Sequence, residues 1–79
     1  MNKPQPPAGT LKKFKNKNYI ISDEEIKRGD LVWCENSQSV DYVVQVFNDA
    51  FCIQFGEGNS AGMRAILSKQ HFQKLVPKM

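Results

Sequence analysis

Hydrophobic and polar positions alternate along much of the chain beyond residue 30, and that period predicts strands, not helices. Leu31 to Glu35 puts Leu31 and Trp33 on one side and Val32 and Cys34 on the other, and the polar stretch "ENSQS" follows as a loop. Val40 to Phe47 is a second β-rich run in which Tyr42, Val44 and Val46 share a face. Asn48 and Asp49 tolerate positive φ and stand between two such runs, which predicts a hairpin turn. Phe51, Ile53 and Phe55 form one face of the return strand, and "GEGNSAG" is a longer turn. Met63 to Leu67 is a further strand with Met63, Ala65 and Leu67 on one side. Ser68 is placed to cap a single helical turn through Lys69 to Phe72, after which Leu75 and Val76 form a short strand that Pro77 closes.

Before residue 30 the pattern changes. Tyr19 to Ile21 is a short extended segment, and "SDEEIKRGD" then carries helix signals. Ser22 and Glu25 have the spacing of a capping box, with Ile21 and Ile26 at the flanking staple positions. Acidic Asp23 and Glu24 suit the start of a helix, Lys27 and Arg28 its end, and Gly29 the left-handed residue that stops it. These features predict a helical turn between residues 22 and 29. Ahead of it, residues 1–18 read as a tail: "NKPQPPAG" has three prolines and no apolar period, so disorder is expected. In "TLKKFKNKN" only Leu11 and Phe14 could dock.

Charge sharpens this division. The formal net charge of the 79 residues is +3. Five lysines and no acid fall in residues 1–18, whereas residues 19–79 hold six basic residues against eight acidic ones. A nucleic-acid reading therefore rests on the tail, on Lys12, Lys13, Lys15 and Lys17 along a backbone with Phe14 available for stacking. Its plain alternative is a solubilising arm. Cys34 and Cys52 have no CxxC spacing and there is one histidine, so neither a zinc site nor a disulfide framework is expected, and both thiols are read as buried and reduced. "MNKPQPPAG" lacks an apolar core of the secretory kind, so the expected compartment is the cytoplasm.

Five short strands, a long central hairpin and one helical turn before the last strand resemble the SH3-like small barrels. "LSKQHFQKLVP" resembles the segment that closes such barrels, with Phe72 and Leu75 as its plug. "GDLVW" is similar to the first strand of the KOW, Tudor and PWWP members. The resemblance covers roughly residues 28–77 and implies a mainly β, five-stranded SH3-like barrel over residues 19–79. It leaves function open, because this superfold hosts protein, nucleic-acid and methyl-lysine binders. The PWWP motif, the glycine that KOW domains carry after the first strand, and the ALYDY stretch of signalling SH3 domains are all missing. "YIISDEEIKRGD" also resembles a leader of short proteins from Bacteroidetes and their phages, which implies an accessory role.

The candidate chemistry is modest. Trp33 with Tyr42 could offer an aromatic surface for a peptide, a methyl-ammonium group or a base, against the alternative that both fill the core. In the glycine-rich turn, Gly56, Gly58, Asn59 and Gly62 could cradle an anion, with Arg64 as counter-charge, although the spacing fits neither a dinucleotide fingerprint nor a Walker loop. Cys34 and His71 lack a third partner for catalysis, and Glu24 and Glu25 face different ways. Open strand edges are a further interface. The expectation is a non-catalytic module without cofactor or metal that binds another protein or itself through Trp33, Tyr42, Gly58, Asn59 and Arg64. The alternatives are nucleic acid on the lysine tail, or a small anion or nucleotide on the glycine loop.

Overall fold

A computed structural model describes residues 5–78 of the chain. Its seven strands are β1 (Leu11–Phe14), β2 (Lys17–Ser22), β3 (Leu31–Cys34), β4 (Ser39–Val46), β5 (Ala50–Phe55), β6 (Arg64–Ser68) and β7 (Phe72–Pro77), with a single 3-10 turn at Lys69–His71. They form one antiparallel sheet, ordered β1-β2-β7-β3-β4-β5-β6, that does not close on itself. The strands expected from alternation and the turn before the last of them are all present. The sheet has two strands more than the five expected, and the difference lies at the N-terminal end.

Residues 11–18 are not a loose tail. β1 pairs with β2 from Leu11 opposite Ile20 to Phe14 opposite Lys17, and β2 pairs with β7. Lys15 and Asn16 between them have φ of 50° and 65°, the twist a two-residue hairpin needs. Upstream, Gly9 N–H donates to Ile21 O at 2.8 Å, and the Gln73 side chain donates to Pro6 O at 2.7 Å. The folded unit thus reaches back at least to Gln5, and the boundary between residues 18 and 19 is corrected. Residues 1–4, which the expected tail also includes, lie outside the described residues. The physical reason for the correction is Phe14: its burial, and the ladder on β2, anchor lysines that read as solvated charge.

The helical turn expected at residues 22–29 does not form. Ser22 Oγ accepts the Glu24 N–H at 3.1 Å, and the Asp30 carboxylate accepts the Lys27 N–H at 2.7 Å. These bonds give the backbone an alternative to a short helix, whose nucleation is costly. Gly29 does take the left-handed conformation, with φ of 91°. Its N–H donates to Val43 O at 2.8 Å, which extends the β3–β4 ladder. Lys74 ties the loop down through ion pairs with Glu24 (3.7 Å) and Asp30 (3.4 Å).

β3 has apolar side chains on both faces, and both are covered. Val32 and Cys34 join Val43, Phe51, Ile53 and Phe72 in one cluster. Trp33 joins Phe14, Ile21, Val40 and Leu75 in a second, with Leu31, Tyr19 and Tyr42 packed against it. The hairpin β1–β2 is what covers the second face. A register shift between Val43 and Gln45 marks a bulge in β4, and a bulge reverses the side-chain phase beyond it. The expected common face of Tyr42, Val44 and Val46 is lost for that reason, and Val40 and Val43 are the buried residues. Cys34 is buried as expected. Cys52 is only half-buried, because it lies opposite exposed Ile66 on the outer side of β5.

Candidate functional site

Each residue singled out from sequence now has a place. Trp33 is 7 % exposed and belongs to the second cluster, so the expected aromatic surface is corrected. Its Nε1–H donates to Glu35 Oε1 at 2.8 Å, and the Lys12 ammonium lies 3.9 Å from the ring centroid. From sequence the Leu31 and Trp33 side of β3 is equally compatible with a surface and with the core. That side is covered by a hairpin built from the residues taken as a tail. Tyr42 is half-buried and meets Phe14 edge to face, with ring centroids 6.0 Å apart. Phe14 is itself buried, which removes it as a stacking platform. Lys13, Lys15 and Lys17 stay exposed on the hairpin.

The glycine-rich loop folds back on β4. Gly56 N–H donates to Val40 O at 3.0 Å, and the Glu57 carboxylate accepts Val40 N–H at 3.1 Å. A Cβ at residue 56 would come within 2.6 Å of Val40 O, so only glycine fits that approach. The loop faces the β3–β4 turn, where Gln38 has a φ of 53°. Between them lies an open cleft of about 400 Å³, floored by Phe55 and lined by Ser37, Gln38, Ser39, Glu57, Gly58, Asn59 and Ser60. The structure thus brings Gly58 and Asn59 together with the "ENSQS" turn. Arg64 is not among the lining residues. Its Nε–H donates to Gln54 Oε1 at 3.2 Å, and Gln54 faces the opposite side of β5 from Phe55. The expected counter-charge for an anion is therefore elsewhere.

What stands behind the cleft is acidic. Asp41 is fully buried, and Ser39 Oγ–H donates to its Oδ1 at 3.1 Å while Oδ2 has no partner among the described residues. Ser37 Oγ lies 3.0 Å from Ser39 Oγ, so a chain of hydroxyls runs from the cleft to the carboxyl. Burial pushes the Asp41 carboxyl up to about 6 from its ordinary 3.8. The Ser39 hydroxyl and the Gly56 backbone pull it down in part, and the Glu57 charge pushes it up. Asp41 and Ser39 escaped the sequence reading. The available signal was an acid at a central position of "SVDYVVQVF", where a buried charge needs a partner.

Cys34 and His71 do not form a reactive pair: the thiol is inside the first cluster, and His71 Nδ1 lies 2.8 Å from the Asn36 amide nitrogen. At the sheet's ends, β1 and β6 each have one unpaired edge. Large apolar residues are exposed at both, Leu11 at 51 % on β1 and Ile66 at 63 % on β6, with Met63 at 63 % just ahead of β6.

These features define a small, mainly β protein with a polar cleft at one place and a β6 edge that carries a single charge. Comparison with family models, curated proteins and solved structures finds no match to the chain. Among the described residues no helix is long and apolar enough to cross a membrane, and no group of three or more His, Cys, Asp or Glu gathers as a metal site would require.

Proposed function

We propose that the protein is a non-catalytic binding module that works by self-association, pairing the free edge of β6 with the same edge of a second copy. The observation that carries this reading is the contrast between the two edges of the sheet. β1 exposes Leu11 but bears Lys12 and Lys13, the kind of charge that keeps sheet edges from pairing. β6 has the single charge of Arg64 and exposes Ile66. An antiparallel pairing centred on Ile66 sets Arg64 opposite Ser68 and Ala65 opposite Leu67 of the second copy. No like charges then face each other, and the contact has the self-complementarity of a two-fold interface. It also adds cover to Ala65 and Leu67, which are only partly buried against the first cluster.

The run β3, β4, β5, β6, 3-10 turn, β7, with β7 beside β3, supports an SH3-like barrel as the underlying design, to which β1 and β2 are added. Members of that superfold serve mainly by binding. A second reading, nucleic-acid binding, keeps one observation of its own: Lys13, Lys15 and Lys17 are exposed on an ordered hairpin and are free of ion pairs to described acids.

Light scattering after size exclusion, on the full chain and on Ile66→Lys, tests the leading reading across a range of concentrations. A dimer that the substitution converts to monomer is expected. A wild-type monomer at every concentration overturns self-association. An added mixed-sequence oligonucleotide at low salt that shifts the monomer moves the function to the lysine hairpin.

A further inference from the structure

The cleft between the β3–β4 turn and the 56–62 loop gathers hydrogen-bond acceptors on the side of Ser37, Gln38 and Glu57, and the order of its bonds fixes why. Ser39 spends its proton on Asp41 Oδ1. The hydrogen in the contact between Ser37 and Ser39 must then come from Ser37, whose lone pairs are left for the cleft. The Gln38 amide nitrogen donates to the Glu35 carbonyl and carboxylate, leaving Gln38 its carbonyl oxygen to offer. Glu57 adds a carboxylate, and among the described residues no lysine, arginine or histidine lines the space. Behind this wall Asp41 is 0 % exposed with one oxygen unpartnered among the described residues, a buried polar atom that a folded protein normally satisfies. The volume of about 400 Å³ falls within the range of small-ligand sites, and Phe55 gives the floor an apolar surface.

We infer that this cleft is a binding site for an ammonium or guanidinium group attached to a short apolar stem, held by Glu57, Ser37 and Gln38 with the stem on Phe55. The hydroxyl chain relays the Asp41 carboxylate to the mouth of the site, so a cation is favoured there without contacting Asp41 itself. An anion would have only the neutral donors of Asn59 and Ser60 to meet, against the charge of Glu57. The glycine-rich loop, which from sequence suggested phosphate, thus serves the opposite sign of ligand.

Amide shifts of the isotopically labelled full chain, titrated separately with n-butylammonium, N-acetyl-lysine methylamide and inorganic phosphate, test the inference. Saturable shifts confined to residues 37–39 and 57–60 are expected for the amines. Equal binding of the two assigns the site to small amines, and binding of the capped lysine alone assigns it to a peptide side chain. Glu57→Gln keeps the oxygen that accepts Val40 N–H and removes the charge, so a fold-preserving loss of about tenfold in affinity is expected. Ser37→Ala, at an exposed turn position, gives a second variant with an expected loss in the same direction. No saturable shift with either amine overturns the inference. So does amine binding that both variants leave unchanged, or a response to phosphate at these amides.

Discussion

Asp41 combines two properties that normally exclude each other, complete burial and an ionisable group whose second oxygen has no partner among the described residues. Its raised pKa means that the folded chain holds the proton more tightly than the unfolded chain does. Asp41 therefore contributes most to stability below about pH 4, and that contribution falls away as the pH rises to about 6. The difference amounts to about 3 kcal/mol. Asp41→Asn removes this dependence, so the gap in denaturation midpoint between variant and wild type should widen in favour of the variant from pH 4 to pH 7 and then level off. A constant gap across that range would show that Asp41 titrates as it does in the unfolded chain. The sequence showed an acid in an apolar strand but not its depth, since burial here follows from Glu57 and the loop folding back over β4. Trp33 was ambiguous for a related reason: alternation defines two faces and says nothing about what covers them.

At the scale of elements, β3 to β7 were legible because their apolar residues alternate and their connections carry turn residues. The hairpin β1–β2 was not, because its turn is Lys-Asn, where glycine or asparagine usually supplies positive φ. Lys15 at a φ of 50° carries a strain that asparagine tolerates better. Lys15→Asn is expected to stabilise the protein by about 0.5–1 kcal/mol, seen as a higher denaturation midpoint. A lower midpoint would mean that the approach of the Lys15 ammonium to the Phe14 and Tyr42 rings, at 5.3 and 5.9 Å, outweighs the backbone term. The segment 22–29 failed in the opposite direction. Its helix signals were genuine locally, but Asp30 captures the Lys27 amide that a helix would pair with the Asp23 carbonyl, and the strands on either side leave room for few residues.

On the whole-molecule scale the two hydrophobic clusters share β3, with Val32 and Cys34 in one and Trp33 in the other. Neither can be lost without disturbing the strand that holds its neighbour. A chain beginning at Lys17 lacks Phe14 and the partner strand of β2, and uncovers the Trp33 ring. The loss of a buried phenylalanine alone costs about 3–5 kcal/mol, a large part of the stability of so small a domain. Circular dichroism and tryptophan fluorescence should therefore report unfolding of the whole sheet in that truncated chain. Retention of the β3–β6 signal with only the tryptophan environment changed would show the clusters to be independent. The overall mainly β class was evident from sequence, whereas the open seven-stranded order depended on the lysine-rich hairpin finding its place beside β7.

That place of β7, between β2 and β3, sets a timetable for synthesis. The segments preceding it form two separate pieces, a hairpin and a meander, and no strand pairing joins one to the other. At translation rates of about 5–20 residues per second, β2 is made roughly 3–11 s before Pro77 completes the strand that bridges them. For that interval the nascent chain exposes Ile21 and the inner edges of both pieces. Exposed Lys13, Lys15 and Lys17 put like charge beside that unfinished edge, which disfavours pairing with another copy of the same segment.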